Sequence, residues 1–160
     1  MSCAILICGK IGAGKTTYAK KLVKERGAVL LSVDEITLLF GQYLGDKHDG
    51  VVERAQRYLF EKAAELLEKG VTVVLDWGFW QKDERGEAAA FFAERGFRAE
   101  WHYVKVSDAV WRRNLAKRNA AFTDETQDFY FIDEDMAERF GGMFEEPVVY
   151  DVLSSEAPRG

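Results

Sequence analysis

"GKIGAGKTT" runs from Gly9 to Thr17 and follows directly on the apolar run "CAILIC", Cys3 to Cys8. Its first eight residues fit the spacing Gly-x-x-x-x-Gly-Lys-[Ser/Thr], the Walker A or phosphate-loop pattern. Gly9, Gly12 and Gly14 let the backbone turn tightly and present bare N–H groups to an anion. A helix opening at about Lys15 adds its N-terminal dipole and free donors. The Lys15 ammonium is placed to reach the β- and γ-phosphates, and the Thr16 hydroxyl to meet Mg²⁺. The residues expected to bind ATP are therefore Gly9, Lys10, Gly12, Ala13, Gly14, Lys15, Thr16 and Thr17. A flexible glycine loop is the alternative, but a strand before and a helix after are the context a phosphate loop requires.

The chain has 160 residues, enough for one compact domain. Hydrophobic residues make up 48%, which supplies a core. The net charge is -5, mild acidity that argues against broad non-specific binding of nucleic acid while leaving room for a local basic groove. The longest apolar runs, Cys3–Cys8 and Ala88–Ala93, are too short to cross a bilayer. Met1 leads straight into a strand-like run with no basic start, so no signal peptide is expected. Cys3 and Cys8 would point to opposite faces of a strand and so cannot pair with each other. A reducing cytoplasm is the expected compartment, with no membrane association.

Working outward from the loop, three glycines punctuate the chain. "KERGAVLL", "LEKGVTVVL" and "AERGFRAEWHYV" each close a polar amphipathic stretch with Gly27, Gly70 or Gly96 and then begin a β-branched or aromatic run. That is a helix closed by a left-handed glycine and followed by a strand. Strands are expected near 3–8, 28–32, 71–76, 97–105 and 148–152. Helices are expected near 15–26, 51–69, 83–95, 108–119 and 133–140, with a short one near 34–40. Val52, Ala55, Leu59, Ala63, Leu66 and Leu67 form one stripe at helical spacing. "VTVVLD" is nearly all apolar and β-branched, as a strand covered on both faces should be. Strands alternating with helices indicate a parallel α/β sheet. A single domain over 1–153 is expected, with a lid at about 119–132 and a frayed tail over 154–160.

Two acids stand at expected strand ends. Asp76 closes "VTVVLD" and is placed to hold the water shell of Mg²⁺ beside Thr16; a turn or cap role is the alternative. Asp34 follows "AVLLSV" at the carboxyl edge of the second strand, where ligands of open α/β sheets bind. With the third strand between them it would lie roughly 10 Å from the loop, suited to accept a proton from an acceptor hydroxyl. "SVDE" also reads as a capping box with Ser32 as N-cap, and the two roles are compatible.

Trp77, Phe79 and Trp80 follow Asp76 and either wall an acceptor pocket or pack under the next helix. "WRRNLAKRN" supplies Arg112, Arg113, Lys117 and Arg118. Arg118, last of these and next to the lid, is placed to meet nucleotide phosphate and the charge that develops during transfer. Arg112 and Arg113 read rather as a solvated helix face. Asp133 is a helix cap candidate, and "FEEP" (Phe144–Pro147) a candidate contact for adenine. His48 and His102 are isolated in sequence, so no histidine metal site is expected.

The phosphate loop, "LSVDE", "VVLDWGFWQKDERG", "RNLAKRN" and "FEEP" occur in this order over residues 4–150. Together they resemble the small phosphate-loop kinase-like proteins often labelled AAA-type ATP-binding proteins. Those are related to polynucleotide 5′-hydroxyl kinases, zeta toxins and chloramphenicol phosphotransferase. The resemblance implies a five-stranded parallel sheet in the order 2-3-1-4-5, ATP and Mg²⁺, and phosphoryl transfer to a hydroxyl. It implies that Lys15 and Thr16 bind ATP and metal, that Asp34 activates the acceptor, that Asp76 ends strand three, and that Arg118 is the lid-helix arginine. One departure stands out: where such relatives often carry a second arginine one helical turn earlier, this chain has Asn114, with Arg113 one step off. Three functions remain open. The first is a kinase acting on a hydroxyl of a small molecule or nucleotide. The second is a polynucleotide kinase, with a basic channel from Arg54, Arg57, Lys82 and Arg85. The third is a nucleotide-dependent switch or ATPase module.

Overall fold

The β-branched and aliphatic runs pair into one five-stranded parallel sheet in the computed structural model, which describes residues 1–148 and, as backbone, 151–154. β1 (Ala4–Cys8) lies at the centre, between β3 (Val73–Gly78) and β4 (Ala99–Lys105); β2 (Val29–Ser32) and β5 (Asp151–Ser154) are the edges. The order is therefore 2-3-1-4-5, the expected kinase-type α/β class. The helices are α1 (Lys15–Arg26), α2 (Val33–Thr37), α3 (His48–Glu68), α4 (Lys82–Glu94), α5 (Asp108–Ala120) and α6 (Glu134–Gly142). Two 3₁₀ turns, Leu38–Phe40 and Gly45–Lys47, join α2 to α3.

Period-two alternation sorts the sheet into two cores. Ala4, Leu6, Cys8, Val73 and Leu75 face α3 and α4, where Ala55, Leu59, Ala63, Leu67, Ala88 and Phe92 meet them. Cys3, Ile5, Ile7 and Val74 face α1 through Ala19 and Leu22. Both faces are covered, which is why β1 is apolar throughout and fully buried. The two cysteines fall in opposite cores and are free thiols. The alternation also places Asp76, two residues beyond Val74, on the α1 face and Trp77 on the other. A third cluster (Leu38, Trp111, Leu115, Tyr130, Ile132 and Ala137) ties α5 and α6 to the chain between them.

The punctuating glycines Gly27, Gly70 and Gly96 take φ of 59°, 78° and 72°, the left-handed closures their spacing predicts. Three boundaries differ from expectation. α3 begins at His48 because Gly50 falls in its first turn instead of breaking it. β3 continues past Asp76 to Gly78, which pairs with Cys8 after a register shift. β5 is Asp151–Ser154 rather than 148–152, and ahead of it the Glu145 N–H donates to the Trp80 carbonyl at 2.8 Å and Glu146 pairs with Lys105 at 3.0 Å. Of the expected frayed tail over 154–160, Ser154 is the last residue of β5, and 155–160 lie outside the described residues. Among the described residues no helix is long and apolar enough to cross a membrane.

Candidate active site

The loop after β1 is shaped from both sides. Gly12 has φ 73°, and a β-carbon there would sit 2.6 Å from Leu115 Cδ2 on α5. The Trp111 indole N–H donates to the Ile11 carbonyl at 2.6 Å, so α5 holds the loop's tip directly. Lys15 folds its ammonium back onto the Gly9 and Lys10 carbonyls, at 2.9 and 2.6 Å. Burial lowers the Lys15 pKa, while the Asp76 and Asp34 carboxylates oppose the shift. Lys10 turns its side chain toward α5, 5.1 Å from the centre of the Trp111 ring and 4.0 Å from Asp108. Ala13 is buried, Gly14 is the N-cap of α1, and Thr16 and Thr17 follow in its exposed first turn.

The start of α1 suits an anion. Gly14 offers no side-chain cap, and the first turn carries no acidic residue, so neither satisfies the terminal N–H groups. Across this mouth the Thr16 hydroxyl donates to Asp76 Oδ2 at 3.0 Å. Burial raises the Asp76 pKa, against the pull of Lys15 and the Thr16 hydrogen bond. A hydroxyl and a carboxylate in contact at a phosphate loop fit Mg²⁺ that takes its remaining oxygens from phosphate and water. Among the described residues no group of three or more His, Cys, Asp or Glu forms a protein-only metal cage.

Asp34 stands just past the end of β2, in the first turn of α2. Ser32 caps that helix, accepting the Glu35 N–H at 3.4 Å. Asp34 is exposed, yet the protein around it takes water from part of its carboxyl and raises its pKa above the ordinary carboxylate range. The Asp76 charge adds to that rise; Arg118, Lys15 and His48 oppose it. Arg118 in turn feels Asp34 first among its carboxylate neighbours, followed by Asp128 and Asp76. Lys15, Asp34, Asp76 and Arg118, drawn from four separate segments, thus share one electrostatic neighbourhood.

The chain between α5 and α6 closes over this group. Arg118 Nε donates to the Tyr130 carbonyl at 3.0 Å. Tyr130 is buried and its hydroxyl donates to Thr37 Oγ1 at 2.6 Å, fastening the segment to α2. Tyr43 packs against Tyr130 with the rings tilted and their centres 5.0 Å apart, and His48 meets Tyr43 and Tyr130 at 5.3 and 5.7 Å. Burial pushes the Tyr43 phenol up to about 12, with Tyr130 and Asp34 contributing and Arg118 opposing. The His48 Nδ1 has neither solvent contact nor a hydrogen-bond partner. Tyr43 and His48 are neighbours of Asp34 and Arg118 that the sequence did not announce, whereas Tyr130 falls in the expected lid. The one available signal was Gly41 and Gly45 bracketing "QYL", a loop between two helices.

The remaining candidate residues have the following surroundings. Phe79 is a core residue, 1% exposed, so it walls no pocket. The cause is local: Gly78 and Phe79 have φ of 90° and 45°, and this pair of left-handed residues turns the ring under the sheet onto Trp101 and Trp77. Trp77 packs edge-on against Phe60 of α3, and Trp80 against Phe140 of α6. Arg54, Arg112 and Arg113 are on exposed helix faces. Arg85 is 2% exposed and spends its guanidinium on the Phe79, Trp80 and Glu145 carbonyls. Phe144 stacks on Tyr103, and Asp133 caps α6 by accepting the Met136 N–H at 2.8 Å.

Comparison with solved structures places the fold among small kinases. A sugar kinase from Janibacter sp. HTCC2649 superposes with TM-score 0.67 at 17% identity, covering 99% of this chain and 88% of its own. The APS kinase CysC of Mycobacterium tuberculosis, in complex with AMPPNP and APS, gives 0.68 at 19%, covering 98% and 90%. Kti12 of Chaetomium thermophilum, in complex with ADP-AlF3, gives 0.73 at 16%, covering 97% and 90%. At such identities the likeness is one of fold. No curated protein matches the chain in sequence. Residues 5–138, most of the chain, match the family described as an AAA domain, and the chain belongs to that family.

Proposed function

We propose that this chain is an ATP-dependent phosphotransferase that moves the γ-phosphate of ATP to a hydroxyl of a small molecule. The observation that carries the reading is the Thr16–Asp76 contact beside the Lys15 ammonium at the start of α1, with Asp34 and Arg118 within electrostatic reach of both. In this reading Asp34 takes the proton of the acceptor hydroxyl, whose oxygen then bonds to the γ-phosphorus as the bond to the bridging oxygen of ADP breaks. Lys15 and Arg118 face the charge that builds on the transferring phosphoryl group. Thr16 and Asp76 would hold Mg²⁺, which when bound neutralises phosphate oxygens. The kinase names of the sugar kinase and the APS kinase, and the nucleotide complexes of the APS kinase and Kti12, agree with this assignment.

The polynucleotide version is weakened by the fate of its channel. Arg85 is buried on backbone carbonyls, and Arg57 is paired with Glu53 at 3.0 Å. Tyr43, His48 and Tyr130 offer instead an aromatic flank beside Asp34, suited to a compact organic acceptor.

The test is a screen of hydroxyl-bearing metabolites with Mg·ATP, reading ADP formation that depends on the acceptor. Asp34→Asn is expected to lower transfer by about 10²- to 10⁴-fold with ATP affinity retained. Transfer by Asp34→Asn near the parent rate would remove Asp34 as the base. ADP formation that ignores every acceptor and is untouched by Asp34→Asn would identify a switch module instead.

A further inference from the structure

Two side-chain amides grip the lid from opposite sides. Gln42, between α2 and α3, donates from Nε2 to the Phe129 carbonyl at 2.9 Å and accepts the Phe131 N–H on Oε1 at 3.0 Å. Asn119, near the end of α5, does the same to one residue: Nδ2 donates to the Ile132 carbonyl, and Oδ1 accepts the Ile132 N–H at 3.2 Å. Each amide presents the donor–acceptor pair that a neighbouring β-strand would offer an extended chain. The gripped stretch belongs to no helix or strand, so without these groups its backbone bonds would have to be made to water.

The grip sets which side chains turn inward. Tyr130 and Ile132 are buried while Phe131 between them is exposed, the alternation of an extended segment. Tyr43 Oη adds a bond to the Phe131 carbonyl at 3.2 Å. The Tyr130 carbonyl, held between the two amides, is the acceptor for Arg118 Nε. Only a planar amide, with donor and acceptor fixed side by side, can make both bonds at once; no charge change is involved.

We propose that Gln42 and Asn119 are positioning residues of the transfer site: they fix the lid backbone at Phe129, Phe131 and Ile132 so that the Tyr130 carbonyl aims Arg118 at the Asp34 cleft. The functional half of this assignment rests on the phosphotransferase reading; the grip itself does not.

Two measurements on the full chain test it. In amide hydrogen exchange followed by NMR, Gln42→Ala speeds exchange of the Phe131 N–H by about tenfold or more and leaves Ile132 within about threefold; Asn119→Ala does the reverse. Gln42→Glu keeps the oxygen that accepts from Phe131 and so retains most of that protection. Unchanged Phe131 exchange in Gln42→Ala, or equal acceleration at the β1 amides, overturns the grip. In calorimetry, Gln42→Ala weakens binding of Mg·ADP with aluminium fluoride by about tenfold and leaves Mg·ADP alone within about twofold. Equal losses on both ligands, or none on either, overturn the positioning of Arg118. If the parent binds neither ligand, the phosphotransferase reading fails, and the exchange data still judge the grip.

Discussion

The Thr16 hydroxyl donates to Asp76 across 3.0 Å, joining the first turn of α1 to the third strand of the sheet. The contact follows from the pleat: Asp76 shares a face with Val74, and that face is the one α1 covers. Metal binding should therefore depend on both side chains. Asp76→Asn keeps the shape and the Thr16 contact but removes the charge that a divalent ion needs. Titration of ATP with and without Mg²⁺ is expected to show about a tenfold loss of the magnesium-dependent affinity, roughly 1.4 kcal/mol, with metal-free binding little changed. An equal loss in both titrations would place Asp76 in the fold rather than at the metal.

Asp34 and Asp76 also make a pH prediction for the protein without nucleotide. Both carboxyls are raised above their ordinary 3.8, Asp76 chiefly by burial and Asp34 chiefly because the protein around it takes water from one side of an otherwise exposed group. Each therefore binds its proton more tightly in the folded chain than in the unfolded one. Unfolding free energy then falls as pH rises from about 4 through the raised folded values, and levels off above them. Asp34→Asn removes one such group and should raise the melting temperature at pH 7, with the gain shrinking as pH approaches 4. A variant less stable than its parent at pH 7 would mean that attraction to Arg118 and Lys15 outweighs the burial of the charge.

Gly12 tests the seam between the phosphate loop and α5. Any L-residue there meets two obstacles, a φ of 73° and the Leu115 Cδ2 atom 2.6 Å from its β-carbon. Gly12→Ala is expected to destabilise by about 1–3 kcal/mol. The steric part should be relieved when Leu115→Ala is added, so the double variant loses less than the sum of the two. Thermal melts of the four proteins give the coupling directly. Strict additivity would show that the backbone strain acts alone.

Much of this was legible because the signals were local. Apolar β-branched runs, a helical stripe and three closing glycines wrote out the alternation of strands and helices, and the spacing around Lys15 and Thr16 anticipated the glycine-lined turn at the start of α1. Asp76 could be expected beside Thr16 because parallel strands end at one edge of the sheet. The acceptor side was harder to read. Trp77 and Phe79 look like a pocket wall by position, but alternation sends Trp77 into the α3 core, and the left-handed turn at Gly78 and Phe79 sends the next ring after it. Tyr43, His48 and Tyr130 come from segments about 85 residues apart, joined only by the lid's docking onto the α2–α3 connection. Side-chain-to-backbone bonds of that range leave no periodicity in a sequence.

Arg85 illustrates the same limit and gives the last prediction. In sequence it reads as a surface cation at the start of an amphipathic helix. In the fold it is buried, with Nη1 on the Phe79 and Trp80 carbonyls at 2.7 and 3.0 Å and Nη2 on the Glu145 carbonyl at 2.8 Å. It thereby ties the β3–α4 turn to the strap that leads toward β5. Arg85→Met matches the apolar stem but leaves the Glu145 carbonyl without its donor and the Phe79 and Trp80 carbonyls with only the Cys8 thiol and the Glu145 N–H, at about 1–3 kcal/mol for a buried group left unpaired. In a domain of this size each kcal/mol moves the melting temperature by about 2–4 °C, so a fall of about 4 °C or more is expected. Arg85→Lys should recover little, since one ammonium cannot span carbonyls on two segments as the guanidinium fork does. Rescue by lysine to the parent melting temperature would show that charge alone, and not the fork, holds the strap in place.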